Sequence, residues 1–169
     1  MKVEEFKYSE FKSKLLDRGF EVIGAGFYSV VYGRERSDRV IKVARMDGTY
    51  HFLRLAQEHP DNPHYPRVYF LKKIGGGYVA VLERLTCWDR DEDRMLRDMQ
   101  EQARDFLDTK RPVSSKRILE RKYPPMFLKA LELIKKTVGY DHGHSDLHAG
   151  NVMVRQSDGC LVITDPYAS

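Results

Sequence analysis

His144-Ser145-Asp146-Leu147-His148-Ala149-Gly150-Asn151 runs straight into Val152-Met153-Val154. A turn from Gln156 to Gly159 then leads to Leu161-Val162-Ile163-Thr164-Asp165. Two short apolar runs joined by a tight turn read as the strands of a hairpin. Pairing them brings Asn151 and Asp165 to the same end, with Asp146 in the loop that feeds it. Two carboxylates and an amide oxygen converging on one spot are the donors a hard cation such as Mg²⁺ takes, together with the phosphates it carries. In phosphoryl transfer, one Asp orients and deprotonates the attacking hydroxyl while an Asn and a second Asp hold metal.

Upstream, Phe20-Glu21-Val22-Ile23, Ser29-Val30-Val31-Tyr32-Gly33 and Arg39-Val40-Ile41-Lys42-Val43-Ala44 read as three strands. They are crowded with β-branched and aromatic residues and separated by turn residues. Gly24 and Gly26, between the first two runs, let backbone come close to a phosphate and let turn N–H groups cradle it. A Gly-x-Gly in a hairpin is also what an ordinary turn looks like. Lys42, inside an apolar strand, has two readings: a solvent-facing side chain on the polar side of the strand, or a compact cation on phosphate oxygens. Gly24 and Gly26 before it, and Asp146, Asn151 and Asp165 after it, favour the second.

His144-x-Asp146-x-His148-x-x-Asn151 followed by Asp165 resembles the catalytic loop and metal-binding Asp of the protein-kinase-like superfamily. Its spacing of His two after the Asp is similar to the aminoglycoside-phosphotransferase-like branch. A longer set lies closer to one group. Gly19-Phe20, Gly24-Ala25-Gly26-Phe27-Tyr28-Ser29, Arg39-Val40-Ile41-Lys42-Val43, Pro66-Arg67-Val68-Tyr69, Tyr78-Val79-Ala80-Val81-Leu82 and Ile163-Thr164-Asp165-Pro166 resemble, in that order, the kinase domain of the early serine/threonine kinases of autographivirus-type bacteriophages. The match covers roughly residues 19–85 and 140–169.

The resemblance implies an α+β, protein-kinase-like fold. Residues 1–85 would form an N-lobe with a five-stranded antiparallel sheet, and residues 86–169 an abbreviated, mainly helical C-lobe. It implies ATP and Mg²⁺ as cofactors. Asp146 and Lys42 would be catalytic, and Asn151 and Asp165 would hold metal. Gly24, Gly26, Ser29, Val31 and Lys42 would cover and bind the phosphates; Ser29 and Val31 stand where the kinase pattern Gly-x-Gly-x-x-Gly-x-Val has its third glycine and its valine. Glu83-Arg84-Leu85 would be the hinge whose backbone, at Glu83 and Leu85, reads the adenine edge.

Several departures accompany the match. Kinases carry a Glu on the helix after the lysine strand. Over 47–59, where a short helix is expected, the one Glu is Glu58 near the end, which reads more simply as a surface residue; Asp47 is the substitute. Pro166-Tyr167 follows the metal-binding Asp where kinases have Phe-Gly. After Asp165 only residues 166–169 remain, so the resemblance leaves substrate docking to the 86–140 segment, a partner or a second subunit. His142, His144 and His148 raise zinc as a competing reading, against a role for His144 in bracing the loop.

The rest of the chain reads structurally. Residues 3–18 and 89–110 carry apolar side chains at helical spacing, and Pro124-Pro125 opens another helix ending near Gly139. Residues 67–74 and 78–85 form a hairpin around Gly75-Gly76-Gly77. Arg111 to Tyr123 reads as a polar, irregular loop whose Lys116, Arg117, Arg121 and Lys122 are ordinarily just solvated. With 41% hydrophobic and 32% charged residues in 169, and a net charge of +4, the composition fits a soluble globular chain and does not indicate nucleic acid as a partner. No apolar run reaches membrane-spanning length, and no signal peptide is evident. Cys87 and Cys160 are expected as buried, reduced thiols. The expected setting is the host bacterial cytoplasm. Three functions stay open here: a serine/threonine protein kinase acting on host proteins or itself, a pseudokinase-like scaffold that binds and inhibits a host protein, and a small-molecule phosphotransferase.

Overall fold

The lysine strand lies at the centre of the first sheet. In a computed structural model describing residues 8–45, 48–87, 94–107, 112–137, 147 and 150–167, β1 (Glu21–Ala25), β2 (Ser29–Gly33), β3 (Arg39–Arg45), β4 (Val68–Ile74) and β5 (Gly77–Glu83) pair antiparallel in the order β1-β2-β3-β5-β4. Strand alternation gives each sheet face its own residues. On one face Tyr32 and Val43 join Val79 and Leu15 of α1 (Tyr8–Asp17) in a core flanked by Phe11, Phe20, Val30, Ile41 and Ile74. The other face carries Lys42, with Val31 and Ala80 directly opposite it on the neighbouring strands. β4 and β5 meet at a tight glycine turn. Gly77 is fixed by crowding, since a Cβ there would strike the Ala44 carbonyl of β3. These strands and α1 form one compact unit, residues 1–46 and 67–84.

The second unit takes residues 47–66 and 85–169, so the excursion that the sequence division at residue 85 grouped with the first lobe makes its contacts here. α2 (Gly48–Glu58) buries Thr49, Tyr50, Phe52, Leu53, Leu55 and Ala56 and exposes a stripe through His51, Arg54 and Glu58, as an amphipathic helix does. The loop after it is fastened to the hairpin of β7 (Val152–Arg155) and β8 (Cys160–Ile163). The Ile163 N–H donates to His64 O (2.9 Å), and the His64 ring bonds the Leu161 carbonyl (2.8 Å). Arg155, buried, donates to Pro63 O (2.9 Å) and Tyr65 O (3.0 Å). A buried guanidinium is tolerable only when its donors find such acceptors. The Tyr65 hydroxyl donates to Ala130 O (2.9 Å) on α5 (Pro125–Thr137), and its ring stacks edge-on against Phe52.

α3 (Arg94–Leu107) buries Met99, Ala103, Phe106 and Leu107, one face of a helix. The segment read from the sequence as an irregular loop is instead α4 (Pro112–Lys122). Its proline stands at the first helical position, where the missing N–H costs nothing. Two of the four basic residues that suggested a solvated loop pair across helices, Lys116 with Glu132 and Lys122 with Asp98, and the Tyr123 hydroxyl also donates to Asp98. Such exposed pairs are screened by solvent and contribute little, so burial of Leu119 against the bundle does more to hold the helix. A two-residue strand, β6 (Thr86–Cys87), pairs with β7. It leaves Cys87 exposed at the sheet edge rather than buried, and Cys160 is half-buried; both are free thiols. Among the described residues, no helix is long and apolar enough to cross a membrane.

His64 makes this unit sensitive to pH. Burial holds its imidazole below the ordinary 6.5, opposed by the Leu161 carbonyl and reinforced by the charge of Arg155. Because the folded pKa is lowered, the unfolded chain takes up the proton first. The stability His64 contributes is therefore complete above about pH 6.5 and is lost as pH falls through the folded value, by at most ~1.4 kcal/mol per pH unit for one proton. Denaturant unfolding between pH 7.5 and 5 should show a drop that is shallower in His64→Asn, which keeps a donor but does not titrate. Parallel curves for the two proteins would contradict this.

Candidate functional site

Each unit presents part of the site residue set. In the first, β1 and β2 form the glycine hairpin, with an irregularity between Val22 and Gly24 that shifts the register. Its tip is closed by the Gly26 N–H donating to Ser29 O (2.8 Å), and Phe27 at the tip is 98% exposed. A Cβ at Gly24 would come no closer than 3.8 Å to Val31 Cβ, and one at Gly26 no closer than 3.9 Å to Ser29 Oγ. Neither glycine is among those with positive φ. The fold itself thus does not demand glycine at 24 or 26; what the two glycines leave is open room beside the backbone, which fits the close approach of a phosphate.

Lys42 follows in register from Val31 and is 8% exposed. Of its two readings this burial excludes the solvent-facing one, which the sequence already disfavoured, and a buried ammonium calls for negative charge beside it. Glu83, at the end of β5, is also buried. Its N–H donates to Arg67 O (3.0 Å) and its carboxylate accepts from the Arg67 N–H (2.9 Å), so this side chain staples the start of β4 to the end of β5. Glu58 lies far along α2, exposed and paired with Arg54 at 3.3 Å, in an i,i+4 arrangement; it is a surface residue. Asp47 lies outside the described residues.

In the second unit the hairpin register pairs Val152 with Ile163, and one step further the Thr164 N–H donates to Asn151 O (2.9 Å). Asn151 and Asp165 therefore sit at the same end of the hairpin. The Asp165 carboxylate accepts a hydrogen bond from the Thr49 hydroxyl. Thr49 is 1% exposed in the first turn of α2, where the helix dipole also favours negative charge. Pro166 and Tyr167, which stand where kinases have Phe-Gly, are both buried. An amide oxygen and an oriented carboxylate fit a hard divalent cation. Leu85 is the half-buried residue from which the chain enters β6, the strand that extends the same small sheet.

Asp146 lies outside the described residues, as do His142, His144 and His148, on which the zinc reading rests. Leu147, between them, is fully buried. The first unit thus gathers Gly24, Gly26, Ser29, Val31, Lys42 and Glu83 on one sheet, and the second gathers Asn151 and Asp165. Sequence reasoning did not single out Thr49, His64 or Arg155. The sign for Thr49 was a hydroxyl in the first turn of a helix otherwise lined with apolar residues.

The chain belongs to the bacteriophage T7 protein kinase 0.7 family, whose model matches residues 2–168, in agreement with the resemblance its motifs carry. No curated protein matches it. Among solved structures it is similar to Rad53 1-466 in complex with AMP-PNP, with 18% identity and a TM-score of 0.44. That match covers 93% of this chain and 42% of the other, so this chain spans less than half the length of that one.

The open space at Gly24 gives a test that separates folding from ligand approach. Gly24→Ala should leave stability unchanged or raise it by up to ~1 kcal/mol, through the stiffer unfolded chain. The same variant should weaken ATP binding at least about tenfold. Thermal unfolding and calorimetric titration read the two effects separately; unchanged affinity would remove Gly24 from the phosphate site.

Proposed function

We propose that this chain is an ATP- and Mg²⁺-dependent protein kinase that phosphorylates Ser or Thr hydroxyls on host bacterial proteins, and on itself, in the host cytoplasm. The observation that carries this reading is the hairpin end, where Asn151 and a carboxylate fixed by Thr49 stand together, in a chain belonging to a phage protein kinase family. In this reading the Gly24–Ser29 turn covers the phosphates and Lys42 binds their oxygens. The hinge backbone at Glu83 and Leu85 reads the adenine edge.

Asp146, five residues before Asn151, accepts the proton of the acceptor hydroxyl. The hydroxyl oxygen bonds to the γ-phosphorus, the bond from that phosphorus to the β–γ bridging oxygen breaks, and ADP leaves. Asn151 and Asp165 would hold the Mg²⁺, which supplies charge neutralisation at the phosphate oxygens. Every other contribution is positioning, the main route by which such enzymes act.

One observation favours a scaffold without transfer activity: Glu58 pairs with Arg54 on the surface, so α2 supplies no glutamate of the usual kind for Lys42. A single assay separates the two. With γ-labelled ATP, Mg²⁺ and bacterial extract, the wild-type chain should label discrete proteins. Asp146→Ala should lower the rate by a factor of at least about 10³ while leaving ATP affinity within a few-fold, and Lys42→Met should lower both. No label from a wild-type chain that nevertheless binds ATP would support the scaffold.

A further inference from the structure

We infer that Thr49 is a positioning residue for phosphoryl transfer, setting the Asp165 carboxylate through which the metal would be held. The inference rests on the kinase reading of Asp165. Three observations carry it. Thr49 is 1% exposed, and its hydroxyl donates to Asp165 Oδ1, which fixes the rotation of the carboxylate about its Cβ–Cγ bond. The one glutamate of α2, Glu58, is at the surface with Arg54. At its other end the α2 segment grips the same strand again, through His64 O to the Ile163 N–H and the His64 ring to the Leu161 carbonyl.

The lengths agree. From Thr49 to Glu58 a helix advances about 14 Å, and from Leu161 to Asp165 an extended chain advances about 13 Å. α2 and its loop are thus fastened at two points, to Asp165 and to β8, and the segment is packed within the same compact unit as the hairpin. Displacing the amino end of α2 would carry the carboxylate with it. The hydroxyl of Thr49, rather than its methyl group, is what this role needs.

The experiment uses the full chain with γ-labelled ATP and bacterial extract, with Mg²⁺ varied at saturating ATP. Thr49→Val, which keeps the shape and loses the hydroxyl, should raise the Mg²⁺ concentration for half-maximal transfer about tenfold and lower kcat about 10- to 100-fold; in calorimetric titration without turnover, it should need about tenfold more Mg²⁺ to strengthen ATP binding, with binding in EDTA unchanged. Thr49→Ser should restore the Mg²⁺ half-point to within about threefold of wild type. A Thr49→Val protein with the wild-type Mg²⁺ half-point would overturn the inference while leaving the kinase reading intact. If the valine protein does not fold, the serine variant still decides: a tenfold shift in its Mg²⁺ half-point, despite the retained hydroxyl, overturns the role. Absence of transfer by the wild-type chain would overturn both readings together.

Discussion

The pairing of β7 with β8 is the constraint on which the chemistry depends. Its register, Val152 opposite Ile163, is extended by the Thr164 N–H bond to Asn151 O. Side chains alternate along a strand with period two, so a slip of one residue would send Asn151 or Asp165 to the wrong face. A four-residue strand cannot hold its register on two or three ladder bonds alone. The hairpin is held instead by its surroundings: β6 on one side, and the loop of Pro63, His64 and Tyr65 on the other. The buried guanidinium of Arg155 is central, because its removal would take the guanidinium donor from Tyr65 O and leave Pro63 O with the weak Cys160 thiol donor.

That dependence explains why residues 47–66 behave as part of the second unit. In sequence they follow the lysine strand and would be expected to travel with it. Their apolar side chains, from Tyr50 to Ala56, are nevertheless buried in contacts that cluster with α5 and the hairpin. Glu58, the one glutamate of α2, is at the surface with Arg54. The buried first turn of the helix instead donates the Thr49 hydroxyl to the Asp165 carboxylate.

Much of this was legible in the sequence. Glycine and polar turns punctuated β-branched runs, which located all five strands of the first sheet, and the two apolar runs around Gln156–Gly159 gave the hairpin and its shared end. α4 was not legible: Val113, Ile118 and Leu119 make no helical stripe, and the partners of Lys116 and Lys122 lie on other helices. The strand alone left Lys42 open, because a lysine in an amphipathic strand and one turned inward have the same neighbours in sequence; only the residues before and after it told against the solvent-facing reading, and its burial agrees with them. Thr49, His64 and Arg155 act through contacts with residues about 90 to 116 positions away, and a single sequence carries no sign of such pairings. Family motifs located the candidate site residues; the side chains that hold Asp165 and its hairpin in place came only from the fold.

The central claim is that Asn151 and Asp165 together hold a divalent cation with the nucleotide. Calorimetric titration of ATP, with Mg²⁺ and with EDTA, tests it most directly in the wild type, Asn151→Ala and Asp165→Ala. The account predicts that Mg²⁺ strengthens ATP binding by about tenfold or more in the wild type, and that this dependence is lost in Asp165→Ala and reduced in Asn151→Ala while binding in EDTA is unchanged. Equal ATP affinity with and without Mg²⁺ in the wild-type chain would contradict it.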